Sequence, residues 1–217
     1  MSAQAAWMAR TWRTADLAGR WGFGLLIAMA LFAFFGPLVS RFDPAAIDLA
    51  GRLTGPSVTH WFGTDELGRD LFARVASGAR LSLLAAVSVV FITIAFGILI
   101  GGLAGLIGGF FETVIMRAVD IMLSIPALVL AIALAAALGP SLINALTALI
   151  VVRLPVFIRL ARAQTLSIKS RAFVDAARMA GAGPFYQLRH HILPNLMGIM
   201  LVQGLMDMAG VVLAAAA

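Results

Sequence analysis

Cysteine is absent from this 217-residue chain, which excludes disulfide frameworks, thiolate metal sites and cysteine nucleophiles. Lysine is nearly absent: Lys169 stands alone beside fifteen arginines. Charge of either sign is sparse, at 12% of residues against roughly 25% in soluble domains. No Gly-x-x-x-x-Gly-Lys-Ser/Thr segment occurs, so the chain has no Walker-type loop with which to hydrolyse ATP itself. A membrane enzyme would need an intramembrane His, Ser or Asp beside a group that activates it, and no such constellation is visible. His60, His190 and His191 suggest no metal site, because two are adjacent and so diverge on a helix, and His60 is remote from both.

What is present is apolar: 62% of residues are hydrophobic and the mean hydropathy is +1.01. Water is not the main solvent of such a chain. The formal charge of +6 does not point to nucleic acid, since the basic residues flank apolar runs instead of forming a basic face on a folded domain. Flanking positive charge is a topology signal. The expected fold is an all-α polytopic transmembrane helical bundle.

Trp21 to Ser40 contains no charge, and about 20 residues at 1.5 Å rise cross a hydrocarbon core of about 30 Å. Arg41-Phe42-Asp43-Pro44 follows in place of a small-residue cleavage site, so this is read as a retained first span over 21–40, after a tail over 1–20. A loop over 41–80 leads to a second uncharged run, with the helix expected over about 81–107. Gly97, Gly101, Gly105 and Gly109 recur in it every four residues, which fits either close helix approach or tolerance of glycine against lipid. The run from Ile121 to Val152 is read as two helices, about 113–138 and 141–162, meeting at Gly139-Pro140. That division keeps the arginines after Arg153 on the same side as Arg10, Arg13 and Arg20, in line with the positive-inside tendency, and makes the N-terminus cytoplasmic. A last helix is expected over 195–217. Asp207 lies about 20 Å into it, where a carboxylate is expensive and faces a water path, a neighbouring helix or the outer interface.

Two stretches exceed what spanning requires. In His60-Trp61-Phe62-Gly63-Thr64-Asp65-Glu66-Leu67-Gly68-Arg69-Asp70, glycines permit tight turns and Asp65 and Asp70 suit a helix start, which reads as a capped, salt-bridged lead-in. Arg74, Gly78, Arg80 and Ser82 continue it. In the second, Asp175 can pair with Arg171 and Arg178 along a short helix that Gly181 and Gly183 stop. Pro184 suits the first position of another short helix, and Pro194 marks the start of the last span. Ala172, Ala176 and Ala180 leave one side low enough to seat in a groove on a partner.

The second stretch resembles the EAA loop of ATP-binding-cassette (ABC) importer permeases, Glu-Ala-Ala, three residues, Gly, nine residues, Ile, one residue, Leu-Pro. Asp175-Ala176-Ala177, Gly181, Leu193 and Pro194 fall at those spacings, with Asp175 for the glutamate and His191 for the isoleucine. The first stretch is similar to the Phe-Gly-Thr-Asp-x-x-Gly-Arg-Asp mark of the dipeptide, oligopeptide and nickel branch, carried here by Gly63, Thr64, Asp65, Gly68, Arg69 and Asp70. The resemblance implies a type I permease fold in which five spans are read and a sixth, beyond Ala217, is missing. It implies a cytoplasmic coupling loop over 165–194, Gly183 included, that docks on one of two separate ABC ATPase subunits. The expected partners are those ATPases, a homologous second permease, an extracytoplasmic binding protein and membrane lipid. No cofactor is expected on this chain, ATP and Mg being held by the ATPases. The implied setting is the bacterial inner membrane, and the implied cargo is peptide or a related small solute. Asp207 is a candidate for the translocation path. A secondary transporter or channel subunit is the competing class; it would lack the docking loop and show internal inverted repeats.

Overall fold

The computed structural model describes residues 17–216, so Arg10, Arg13 and the rest of the tail through residue 16 lie outside the described residues, as does Ala217. Among the described residues the chain is helical, without a β-strand beyond one isolated bridge between Thr64 and Asp70. Eight α-helices follow in order: α1 (Leu17–Val39), α2 (Leu71–Ile107), α3 (Gly109–Ser124), α4 (Ala127–Leu138), α5 (Leu142–Lys169), α6 (Ala172–Met179), α7 (Pro184–Gln187) and α8 (Leu193–Ala216). Four helical stretches, Gly19–Val39, Leu71–Ile107, Leu142–Lys169 and Pro184–Leu213, are long and apolar enough to cross a membrane, and α3 with α4 forms a fifth, broken candidate. The chain divides into two compact units at Leu83/Leu84, within α2.

In the first unit α1 exposes Trp21, Leu25, Leu26 and Met29, the surface expected of a helix solvated by lipid. Its close approach to the start of α2 falls at Gly36, where a Cβ would lie 2.9 Å from the Ala76 methyl. Helix α2 begins at Leu71, ten residues before the start expected from the uncharged run. Hydropathy sets where lipid begins, whereas a cap sets where a helix begins: Asp70 Oδ2 accepts the Ala73 N–H at 2.7 Å. Arg74 and Arg80 therefore ride on the helix outside its apolar stretch.

The second unit is built on α2 against α5. A Cβ on Gly97 would lie 2.7 Å from Phe157 Cβ, one on Gly101 2.2 Å from the Ile158 carbonyl oxygen, and one on Gly105 3.0 Å from Thr165 Cβ. Three of the four periodic glycines thus form a helix contact surface. Gly109 does not join them; it starts α3 with φ +61° and has open space around it. Phe157, Ile192, Leu196, Met200 and Val211 fill the core that this contact and α8 enclose.

The single helix expected over 113–138 is two, α3 and α4, bent by 94°. Ile125 and Pro126 are extended, because proline excludes its predecessor from the helical region and offers no N–H to the preceding turn. Helix α3 also carries Glu112, Arg117 and Asp120. Two of these are satisfied by α5: Arg162 Nε lies 2.6 Å from Glu112 Oε1, and Arg159 pairs with Asp120. The second break falls at Gly139, φ +86°, as the sequence suggests. Helix α5 runs to Lys169, past the expected 162, and Lys169 Nζ donates to the carbonyls of Leu106 (2.6 Å) and Gly105 (3.2 Å), closing the free end of α2.

Candidate functional site

The loop after α1 is organised from within. Asp48 caps a short 3-10 turn over Leu49–Gly51 by accepting the Ala50 N–H at 3.1 Å. Thr64, buried, donates its hydroxyl to the Gly51 carbonyl (2.6 Å) and accepts the Thr54 N–H (2.9 Å). Asp65 gathers the N–H groups of Leu67 and Arg69, both at 2.9 Å, Arg69 Nε at 2.8 Å, and the Arg74 guanidinium. Desolvation pushes the Asp65 carboxyl up, but the backbone N–H groups of Arg69 and Leu67 and the Arg69 guanidinium together hold it at about 2, below the usual 3.8.

Two glycines of this loop have backbone reasons to be glycine. Gly63 has φ +79° and a Cβ there would lie 2.5 Å from the Thr54 oxygen; Gly68 has φ +73° and its Cβ would lie 1.7 Å from the Asp48 oxygen. Asp70, buried, caps α2 with one oxygen and holds His60 Nδ1 at 2.9 Å with the other. Gly63, Thr64, Asp65, Gly68, Arg69 and Asp70 are therefore brought together, and each is spent on the shape of the loop. Arg52, Glu66 and Val58 are left outward. The pairings of His60 with Asp70 and of Thr54 with Thr64 were not read from the sequence, where the partners lie ten residues apart.

The 165–194 segment is a helix, a turn and a helix. Val174 anchors α6 in the core, while Asp175, Ala176, Arg178, Met179 and Ala180 face outward, with Met179 90% exposed. Ala172 and Gly183 are exposed too. Asp175 pairs with Arg178 at 3.2 Å; Arg171 contributes its carbonyl, not an ion pair, by accepting the Val174 and Asp175 N–H groups. Gly181, φ +85°, donates to the Arg178 carbonyl and Ala182 donates to that of Ala177, both at 3.0 Å. That pair of bonds around a left-handed residue is a Schellman cap, and it explains why the position after the alanines is glycine. Gln187 Nε2 ties the turn by donating to the Ala182 carbonyl at 2.6 Å.

Pro184 opens α7 as expected, and Pro194 falls at the second residue of α8, at the start of the last span. A π-turn over Leu188–Ile192 joins α7 to α8, with the Leu193 N–H bonded to the Leu188 carbonyl five residues back. Pro194 brings no N–H to this junction, and the helix continues through it. Deeper in α8, Asp207 Oδ1 lies 3.0 Å from Arg153 Nη1 of α5, and Asp207 Oδ2 is buried without a partner. Gly210 makes room for this guanidinium, since a Cβ there would lie 3.0 Å from Arg153 Nη2. Among the described residues no group of three or more acidic or imidazole side chains gathers to hold a metal.

The family model described as binding-protein-dependent transport system inner membrane component matches residues 97–217, and so takes in the whole of this helix, turn and helix. The chain belongs to that family. It is 48% identical over 192 residues to the probable D,D-dipeptide transport system permease protein DdpC of Escherichia coli, covering 88% of this chain and 64% of that protein. It is 41% identical over 196 residues to the dipeptide transport system permease protein DppC of Alkalihalophilus pseudofirmus, at 90% and 64% coverage. It is 41% identical over 202 residues to the di/tripeptide transport system permease protein DppC of Pseudomonas aeruginosa, at 90% and 67%. The chain thus spans about 64% of the length of the first two relatives. As a multi-pass membrane member of this family it is all-α, in agreement with the fold class read from its sequence.

Proposed function

We propose that this chain is a permease subunit of an ABC importer, passing peptides or a related small solute from a binding protein into the cytoplasm under the drive of separate ATPase subunits. The observation that carries the reading is the outward face of α6. Asp175, Ala176 and Ala180 lie there with Met179, beyond a glycine-capped turn and anchored behind by Val174. Such a projection, low in relief with one apolar knob, fits a groove on a partner. A rigid cap and a buried anchor transmit displacement by contact. Helix α6 connects directly to α5, and the turn leads through α7 to α8, so a push on α6 reaches both helices that carry the Arg153–Asp207 pair. ATP and Mg belong to the ATPases in this scheme, and the chain is not itself an enzyme.

The remaining roles follow the same reading. The 165–194 segment and the N-terminus face the cytoplasm of a bacterial inner membrane, and a homologous second permease completes the path. The loop over 41–80 receives the binding protein through its outward charges, such as Arg52; charge reversal at Arg52 with docking and uptake intact would count against that. Asp207 lines the path, a role that unchanged transport by Asp207→Asn would retire.

The deciding experiment is co-purification of tagged chain with its ATPase subunits, comparing native sequence with Gly181→Asp plus Asp175→Lys. Attachment by the native chain and its loss in the double variant are expected. A folded native chain that holds no ATPase would sink the proposal.

A further inference from the structure

An apolar groove in the second unit lies between α2 and the stretch from α7 to α8. Buried Ile94, Ile98 and Leu188 form its floor, Phe91 and Leu201 its exposed rims, and its volume is about 520 Å³. From Phe91 to Leu99, both lining it, α2 rises about 12 Å at 1.5 Å per residue, close to the depth of roughly 15 Å of one leaflet. Every lining residue is apolar except Arg189, on the π-turn. Arg189 is exposed and has no acceptor among the described residues, unlike Arg153, Arg159 and Arg162, which are all paired. Phe185, also lining the groove, is exposed beside it.

The geometry points to a binding site for an anionic phospholipid, its phosphate on Arg189 and one acyl chain laid along the groove. Guanidinium matches phosphate oxygens in a two-pronged fashion, and basic pockets between spanning helices hold acidic headgroups. No carboxylate lines the groove to receive an ammonium, which favours a net anionic headgroup over a zwitterionic one. Because the walls are α2 on one side and α7, the π-turn and α8 on the other, the lipid clamps the stretch after Gly181 against α2. This site stands apart from the transport reading and does not depend on it.

The test uses the full chain in nanodiscs of equal phosphatidylglycerol and phosphatidylethanolamine, stripped stepwise in detergent, with retained lipid counted by native mass spectrometry. Phosphatidylglycerol is expected to outlast phosphatidylethanolamine. Arg189→Gln should lower its retention roughly tenfold, the scale of one charge-assisted hydrogen bond. Ala95→Phe, which fills the groove from an exposed position without altering charge, should remove the tightly held lipid. Arg178→Gln, a neutralisation away from the groove, should leave retention unchanged. Equal retention of both lipids, no effect of Arg189→Gln, or an equal loss in Arg178→Gln would overturn the assignment, whatever the outcome with the ATPases.

Discussion

Gly101→Ala puts one methyl group at the tightest approach between α2 and α5. Its Cβ would sit 2.2 Å from the Ile158 carbonyl oxygen and 3.0 Å from the Ala161 methyl. The first neighbour is backbone and cannot rotate away, so the helices must part by about 1 Å to reach ordinary van der Waals contact. Parting them loosens Gly97 on Phe157 and Gly105 on Thr165 at the same time, since all three lie on one face. Overpacking of this kind costs about 1–3 kcal/mol, against a gain of up to about 1 kcal/mol from replacing a helical glycine. Gly198→Ala is the matched control, a helical glycine in α8 with nothing within 4 Å of its Cβ. Thermal unfolding in detergent, followed by fluorescence-detected size exclusion, should show a lowered midpoint for Gly101→Ala and an unchanged or raised one for Gly198→Ala. Equal shifts in the two variants would refute the packing argument.

Three further outcomes are expected. Because the folded Asp65 carboxyl is held at about 2 against 3.8, its contribution to loop stability is present above about 3.8 and is lost as pH falls from there through about 2. In a chain keeping Trp61 as its single tryptophan, emission should report that transition in the native sequence and not in Asp65→Asn; an identical acid transition in both would contradict it. Asp207→Leu alone strands the Arg153 guanidinium and should lower stability by about 3 kcal/mol, while adding Arg153→Leu should recover most of the loss; a double variant as unstable as the single would show that the pair is not the unit. Glu112→Ala, which removes the partner of Arg162, should cost about 1 kcal/mol. A double-mutant cycle with Arg162→Ala should return that coupling, and strict additivity would exclude it.

The sequence alone specified the solvent, the helical class and some of the turns. Long uncharged runs have one physical solution in lipid, because every backbone polar group must be satisfied within its own segment. Gly139, Gly181 and Pro184 were equally legible, since the conformation each demands is a property of the residue and its immediate neighbours. What stayed hidden depends on partners far along the chain. Hydropathy could place α2 only from residue 81, because its true start rests on an aspartate cap outside the apolar run. Pro126 carried a break signal that the continuous hydropathy around it masked, and the π-turn that joins α7 to α8 ahead of Pro194 was not read. The glycine stripe was ambiguous between lipid and a neighbouring helix until Phe157, Ile158 and Thr165 were set opposite it. The pairing of Arg153 with Asp207 and of Arg162 with Glu112 joins residues about fifty apart. Charge alone cannot say which of fifteen arginines meets which carboxylate; only the packing of α3, α5 and α8 brings those groups within reach.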